Sequence, residues 1–205
     1  MSIQVETLPV GMLAVNCYLV WAPETRQALI IDPGDDPDEV AAAVRQAKLT
    51  PKGILLTHAH VDHIRGVAGV AAAFAVPVFV HADDRALYLS PDNALPPWVE
   101  AATGLPEPVA TPPQLDGVTY TIVHTPGHTP GGVCYYFAES AMLFSGDTLF
   151  AGSIGRTDLP GGDFGTLMRS LKTRLASLPA DTVVYPGHGP ATRIGEEKES
   201  NPYLG

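Results

Sequence analysis

The chain has 205 residues, 45% hydrophobic and 17% charged, enough to bury a sizeable core as one domain and unlike a disordered chain. Its 12 Lys+Arg against 22 Asp+Glu leave a net charge of −10 with no basic run, which argues against nucleic-acid and anionic-membrane partners. Cys17 and Cys134 stand far apart in apolar, strand-like runs, so two buried free thiols are expected rather than a disulfide or a CxxC site.

The apolar stretch from Leu8 to Ala22 is broken by Pro9, Gly11 and Asn16, and no basic residue precedes Arg26. It is expected to be neither a signal peptide nor a membrane span, which points to a cytoplasmic location. "QVETLPV", "NCYLVWA" and "QALIID" predict a strand meander closed by the turn "DPGDD". "PDEVAAAVRQAKL" opens with Pro37 and acids in its first turn, as helices do. "GILLT" predicts a buried strand, "HIRGVAGVAAAFA" one helix tolerating Gly66 and Gly69, and "VPVFVH" another strand.

Residues 90–113 carry seven prolines and predict an extended surface loop within one domain, in which Trp98 either shields a pocket or packs on its own loop. Strands "VTYTIVH", "VCYYF" and "AMLFSG" follow, then the helix "DFGTLMRSLKTRLASL" and a last strand in "TVVYPG". Strand runs with helices in both halves predict an α/β architecture of two sheets packed face to face with helices outside.

Seven histidines serve the whole chain, and three of them fall in "THAHVDH". Residues two apart in a strand point the same way, so His58 and His60 are placed to converge on one point. Asp62 and His63 follow where the chain turns into a helix and are aimed at a second point. Imidazole with carboxylate suits Zn, Fe or Mn without any thiolate. Three later strand ends repeat the pattern of apolar run, small-residue turn and ligand: His128 in "HTPGHTPGG", Asp147 in "LFSGDTLF" and His188 in "VVYPGHGP". Ligands presented from loops at the edge of a rigid sheet are what a catalytic metal needs.

"HAHVDH", followed in order by His128, Asp147 and His188, resembles the signature of the metallo-β-lactamase fold superfamily. "IDPG", "THAHVDHIRG", "SGDTLFAGSIGRTD" and "YPGHGPAT" are similar to its glyoxalase II (hydroxyacylglutathione hydrolase) branch. The resemblance implies a four-layer αβ/βα sandwich of two mixed sheets. It implies a first ion on His58, His60 and His128, a second on Asp62, His63 and His188, and Asp147 bridging both. The cofactors expected are two divalent metal ions, Zn in most members, with Fe or Mn also accommodated. The implied reaction is attack of a metal-bound hydroxide on a small-molecule thioester such as S-(2-hydroxyacyl)glutathione, with Asp62 also orienting the attacking group. Arg156 stands where the branch has a basic glutathione contact, and Asp158 where it has a tyrosine.

The chain stops 17 residues after His188, where longer members carry a helical glutathione-binding domain. It is thus similar to the short, single-domain bacterial form. The alternatives are a mononuclear iron persulfide dioxygenase using His58, His128 and Asp147, and a metal-holding module without turnover. A secreted β-lactamase and a tRNA-processing nuclease are disfavoured. His124 is expected to be a hydrogen-bonded strand end or a support for His128, and His81 structural or at the surface. "NPYLG" is left open between a frayed tail and a packed one, and oligomeric state is also open.

Overall fold

A computed structural model describes residues 2–204. The chain divides into two compact units, the first ending at Thr119 and the second beginning at Tyr120. Each holds a mixed five-stranded sheet and helices, so the α/β expectation stands.

The first unit contains β1 (Gln4–Val10), β2 (Val15–Trp21), β3 (Gln27–Ile31), α1 (Pro37–Gln46), β4 (Thr50–Leu55), α2 (Val61–Ile64), α3 (Val67–Phe74), β5 (Val78–Phe79) and α4 (Arg85–Tyr88). The sheet runs β1-β2-β3-β4-β5. The expected meander is its antiparallel half, β1 to β3, and the last three strands are parallel. β3 and β4 are apolar on both faces where they are buried, as central parallel strands are. Their side chains join Val40, Val44, Val67 and Val70 of α1 and α3 in one core.

Two expectations change here. The helix foreseen from His63 to Ala75 is two pieces broken at Gly66. In a continuous helix the Gly66 N–H would go to the Asp62 carbonyl, but it donates instead to the Gly34 carbonyl at 3.2 Å. The Asp62 carbonyl is pressed against Gly34, where a Cβ would lie 1.8 Å from it. The proline-rich segment is irregular yet tied down. Asn93 is fully buried, donates to the Tyr88 and Ala102 carbonyls, and accepts from the Ala102 N–H at 2.9 Å. An amide side chain there does the work that a strand ladder does elsewhere. Trp98 stands 61% exposed on this loop.

The second unit contains β6 (Thr121–His124), β7 (Val133–Phe137), β8 (Met142–Gly146), β9 (Leu149–Phe150), β10 (Ser153–Ile154), α5 (Phe164–Ser170), β11 (Val183–Pro186), β12 (Thr192–Arg193) and α6 (Ile194–Ser200). Its main sheet runs β12-β11-β8-β7-β6, and β9 and β10 form a separate hairpin. Leu167, Leu171 and Leu175 bury one face of α5 and its continuation against Cys134, Leu143 and Val184. Asp163 caps α5 by accepting the Thr166 N–H at 2.7 Å. The expected single helix gives way after Ser170 to one π-helical turn, Leu171–Leu175, closed by the Ala176 N–H on the Leu171 carbonyl at 2.9 Å. No helix among the described residues is long and apolar enough to cross a membrane.

The polar stretch "GEEKES" folds as α6, which sequence reading missed. Beside the apolar Ile194, its other buried residue is an acid, Glu197. It accepts from the Thr192 hydroxyl (2.6 Å), the Gly152 N–H (2.9 Å) and the Asn201 amide (2.7 Å). Asn201 also donates to the Ser153 carbonyl at 3.1 Å, so the tail packs on the β9–β10 hairpin. Cys17 and Cys134 are buried and unbridged, as expected.

Candidate metal centre

In the first unit all the predicted ligands sit past the C-terminal ends of parallel strands. β4 ends at Leu55, the chain bends at Thr57, and His60 opens α2 in an extended conformation with φ −74° and ψ 148°. That carries His58 and His60 to ring centroids 4.9 Å apart, and His58 and His63 to 4.1 Å. The rings of His58, His60 and His63 are buried. The Asp62 carboxylate is one-tenth exposed, with Oδ2 3.8 Å from His63 Nε2.

The registers explain the supports, which sequence reading did not assign. β3 and β4 pair in parallel with Ile31 beside Leu55, so Asp32 and Thr57 leave the sheet together. The buried Asp32 carboxylate accepts the Thr57 N–H (2.7 Å), the Thr57 hydroxyl (2.6 Å) and His63 Nδ1–H (2.9 Å). A carboxylate only accepts, so the His63 proton is on Nδ1 and its Nε2 carries the lone pair. Thr57 spends its own proton on Asp32, so its oxygen accepts from His58 Nδ1–H at 3.1 Å and fixes the same tautomer. Asp32 stands at φ +49°, a strained conformation for an aspartate, held by these bonds. From beyond β5, the buried Asp84 accepts the Ala59 N–H between His58 and His60 at 3.1 Å. The readable signal for Asp32 is "LIID" itself, an apolar strand ending in an acid.

The second unit gathers His128, Asp147 and His188 at one sheet edge. β8 and β11 are parallel with Gly146 beside Pro186, so Asp147 and His188 emerge from adjacent strand ends. The Gly187 N–H on the Gly146 carbonyl (2.9 Å) extends that register to the ligands. β7 is antiparallel to both β6 and β8, so the β6–β7 loop carrying His128 opens at the same edge. Asp147 Oδ2 lies 3.6 Å from His128 Nε2 and 3.8 Å from His188 Nε2. These separations are too long for direct hydrogen bonds. They fit donors that share an ion, since tetrahedral ligands about 2.1 Å from a metal stand about 3.4 Å apart.

His128 Nδ1–H donates to the Arg156 carbonyl at 2.7 Å, which leaves the lone pair on Nε2. Gly155 leaves no room for a side chain, because a Cβ there would lie 1.8 Å from the Asp147 carbonyl and 3.2 Å from His128 Nδ1. The Arg156 guanidinium forms a forked pair with Asp158 at 2.7 and 2.8 Å. That fork holds the Asp158 carboxyl at about 2, below its ordinary range. His124 is a hydrogen-bonded strand end, its Nε2–H on the Pro130 carbonyl at 2.9 Å, and that bond braces the His128 loop. His81 accepts the Asp83 N–H through Nδ1 at 3.3 Å, capping the short turn that follows it.

The first unit therefore presents three buried imidazoles and the second one, with the tautomers of His58, His63 and His128 fixed and carboxylates beside His63 and His128, the donor chemistry that holds divalent ions of the Zn, Fe or Mn type.

Comparison with known proteins places these residues in context. A sequence model of the metallo-β-lactamase superfamily matches residues 10–188. The chain is 37% identical to hydroxyacylglutathione hydrolase GloC of Haemophilus influenzae, over 98% of this chain and 97% of that one. It superposes on the crystal structure of the BLEG-1 B3 metallo-β-lactamase with a TM-score of 0.90, at 38% identity over 98% and 99% of the two chains. On the crystal structure of TTHA1623 in a di-iron-bound form the TM-score is 0.84, at 43% identity over 98% and 100%.

Proposed function

The chain belongs to the metallo-β-lactamase superfamily, and from that premise we propose that it is a two-metal hydrolase of thioesters such as S-(2-hydroxyacyl)glutathione. Its α/β fold of two mixed sheets with helices is that of the superfamily. The observation that carries the substrate class is the nearly full-length likeness to GloC. In this reading residues 1–205 act as one domain, the span of the family match across both units supporting it. His58, His60 and His128 would hold one ion, Asp62, His63 and His188 the other, and Asp147 both. The supporting facts are that the Nε2 atoms of His58, His63 and His128 carry lone pairs, and that those of His63 and His128 lie 3.8 and 3.6 Å from the Asp62 and Asp147 carboxylates.

Two bound divalent ions supply a water acidified from a pKa of about 15.7 to about 7 and a Lewis acid for the carbonyl. The remaining work falls to side chains. Asp62, beside His63, accepts a hydrogen bond from the attacking water and orients it. Asp32 keeps His63 turned outward by holding its Nδ1 proton. The leaving thiolate needs no strong general acid. Arg156 is the contact for a substrate carboxylate, which competes with Asp158 for the same fork. A small soluble thioester is the only partner this reading requires. The cytoplasm is its proposed location, consistent with two unbridged cysteines.

The test is metal analysis of purified protein together with assays on S-lactoylglutathione, a β-lactam and glutathione persulfide. Two ions per chain with chelator-sensitive thioester turnover are expected. Hydrolysis of the β-lactam alone would overturn the substrate class. The di-iron form of TTHA1623 favours keeping an iron reading in the test. One iron per chain, with O₂ consumed on the persulfide and no thioester turnover, would establish a dioxygenase instead.

A further inference from the structure

Acids outnumber bases 22 to 12, so arginines in this chain should find partners easily. Six of the eight do: Arg26 on the Ala47 carbonyl, Arg45 over the Phe74 ring, Arg65 with Asp35, Arg85 with Glu107, Arg156 with Asp158 and Arg193 on the Asp181 carbonyl. Arg169 and Arg174 make no ion pair or side-chain hydrogen bond among the described residues. Both line one cavity of about 130 Å³ in the second unit, shared with His124, Thr166, Ser170 and Thr173.

The backbone is what brings the two guanidinium-bearing residues to one cavity. Thr166, Arg169, Ser170 and Thr173 follow the three- and four-residue spacing of a helix face. Arg174 continues it four residues after Ser170 but stands at the far edge of the face from Arg169, since residues five apart in a regular α-helix point roughly 140° away from each other. The π-helical turn over Leu171–Leu175 adds one residue to the turn and swings Arg174 back towards Arg169. Such turns recur at functional sites.

The hydrogen-bond inventory gives the cavity its polarity. No carboxylate is among its lining residues. The nearby Asp163 bonds the Thr166 N–H and feels the charge of Arg169 without lining the cavity. Ser170 spends its proton on the Pro126 carbonyl (2.7 Å), Thr173 on the Arg169 carbonyl (2.8 Å) and His124 its Nε2 proton on the Pro130 carbonyl (2.9 Å). The donors left for a ligand are two guanidinium forks and the Thr166 hydroxyl, a set that matches a tetrahedral dianion.

We propose that this groove binds the phosphate group of a small soluble phosphate ester. It is independent of the metal centre and of the hydrolase reading. A net charge of −10 opposes an anionic membrane surface as the source of that phosphate.

The experiment titrates zinc-loaded protein with inorganic phosphate and then glycerol phosphate, in about 0.15 M salt so that diffuse attraction is screened. Amide chemical shifts are the readout. Saturable shifts at Thr166, Arg169, Thr173 and Arg174 are expected, with a Kd of about 1 mM or tighter. Arg169→Ala/Arg174→Ala should weaken that binding at least about tenfold, while shifts of amides beside the metal ligands stay the same in both proteins. Non-saturating shifts, or equal affinity in the double variant, would overturn the site. Sedimentation with phosphatidylglycerol vesicles is expected to leave the protein in solution. Co-sedimentation abolished by the double substitution would overturn the soluble ester in favour of a lipid headgroup.

Discussion

In the first unit four candidate ligands fit between His58 and His63, whereas the second draws its three from positions 128, 147 and 188. The compact group rests on one strand-to-helix passage and borrows its rigidity from side chains elsewhere, Asp32 beyond β3 and Asp84 beyond β5. The dispersed group rests on strand register: Gly146 beside Pro186 fixes Asp147 and His188 together, and a backbone carbonyl fixes His128. A cluster dense in sequence is thus held by distant acids, and a cluster sparse in sequence is held by main chain. Substitutions should separate the two cases.

The largest effect should come from Asp147→Ala. In the proposed centre this carboxylate serves both ions, and it already lies within 4 Å of two imidazole nitrogens. Thioester turnover is expected to fall at least about a thousandfold, the scale of removing a group that acts in the transition state. Metal analysis should show both ions lost, against one ion lost in His58→Ala, with circular dichroism unchanged in each. Equal metal loss in the two variants would remove the bridging role from Asp147.

Next come two glycines, one in each unit. A Cβ on Gly34 would lie 1.8 Å from the Asp62 carbonyl, and one on Gly155 the same distance from the Asp147 carbonyl. Each glycine lets the chain pass against the backbone of an acidic ligand. Gly34→Ala and Gly155→Ala should each cost about 1–3 kcal/mol, a fall in Tm of about 5 °C, along with weakened metal binding. Retention of full metal content in both would show that the carboxylates tolerate backbone shifts.

These positions mark where the sequence was legible and where it was not. The seven ligands stand out because histidine is scarce and because each later one follows an apolar run and a small-residue turn. The β1–β3 meander, α1 and the β6–β8 strands follow from period and punctuation alone. Three features escaped because the decisive partner lies far along the chain. Gly66 breaks a helix by bonding to the Gly34 carbonyl, α6 buries the acid Glu197 beside a single apolar residue, Ile194, and Asp32 reads as the start of a turn until β4 brings Thr57 and His63 to it.

Asp32→Asn tests that last support with a milder change. The amide keeps one acceptor oxygen but turns donors towards the Thr57 hydroxyl or His63 Nδ1–H, where the carboxylate accepted both. The mismatch costs about 1–3 kcal/mol and releases the His63 tautomer. Affinity for one ion should drop about 10–100-fold, as it does when the group behind a ligating histidine is altered. Competition with a chromogenic chelator measures it, and an unchanged affinity would mean that His63 is oriented by packing alone.

The smallest effect compares the single buried thiol of each unit. Burial pushes both Cys17 and Cys134 up, Cys17 further, with the charge of Asp32 adding to it. Cys134 is pushed to about 11 from an ordinary 9.0, because hydrogen bonds with Thr125 and Thr148 partly offset its desolvation. An acid raised in the folded state keeps its proton while the unfolded chain loses it, so stability is intact below pH 9 and declines from pH 9 towards 11. For Cys134 alone the loss is on the order of 3 kcal/mol at the end of that window. Cys134→Ser should flatten this part of the urea-unfolding profile less than Cys17→Ser does, since the larger shift belongs to the first unit. At pH 7 neither thiol should react with a disulfide reagent until urea opens the chain, and a fast native-state reaction would show that one of the units opens locally.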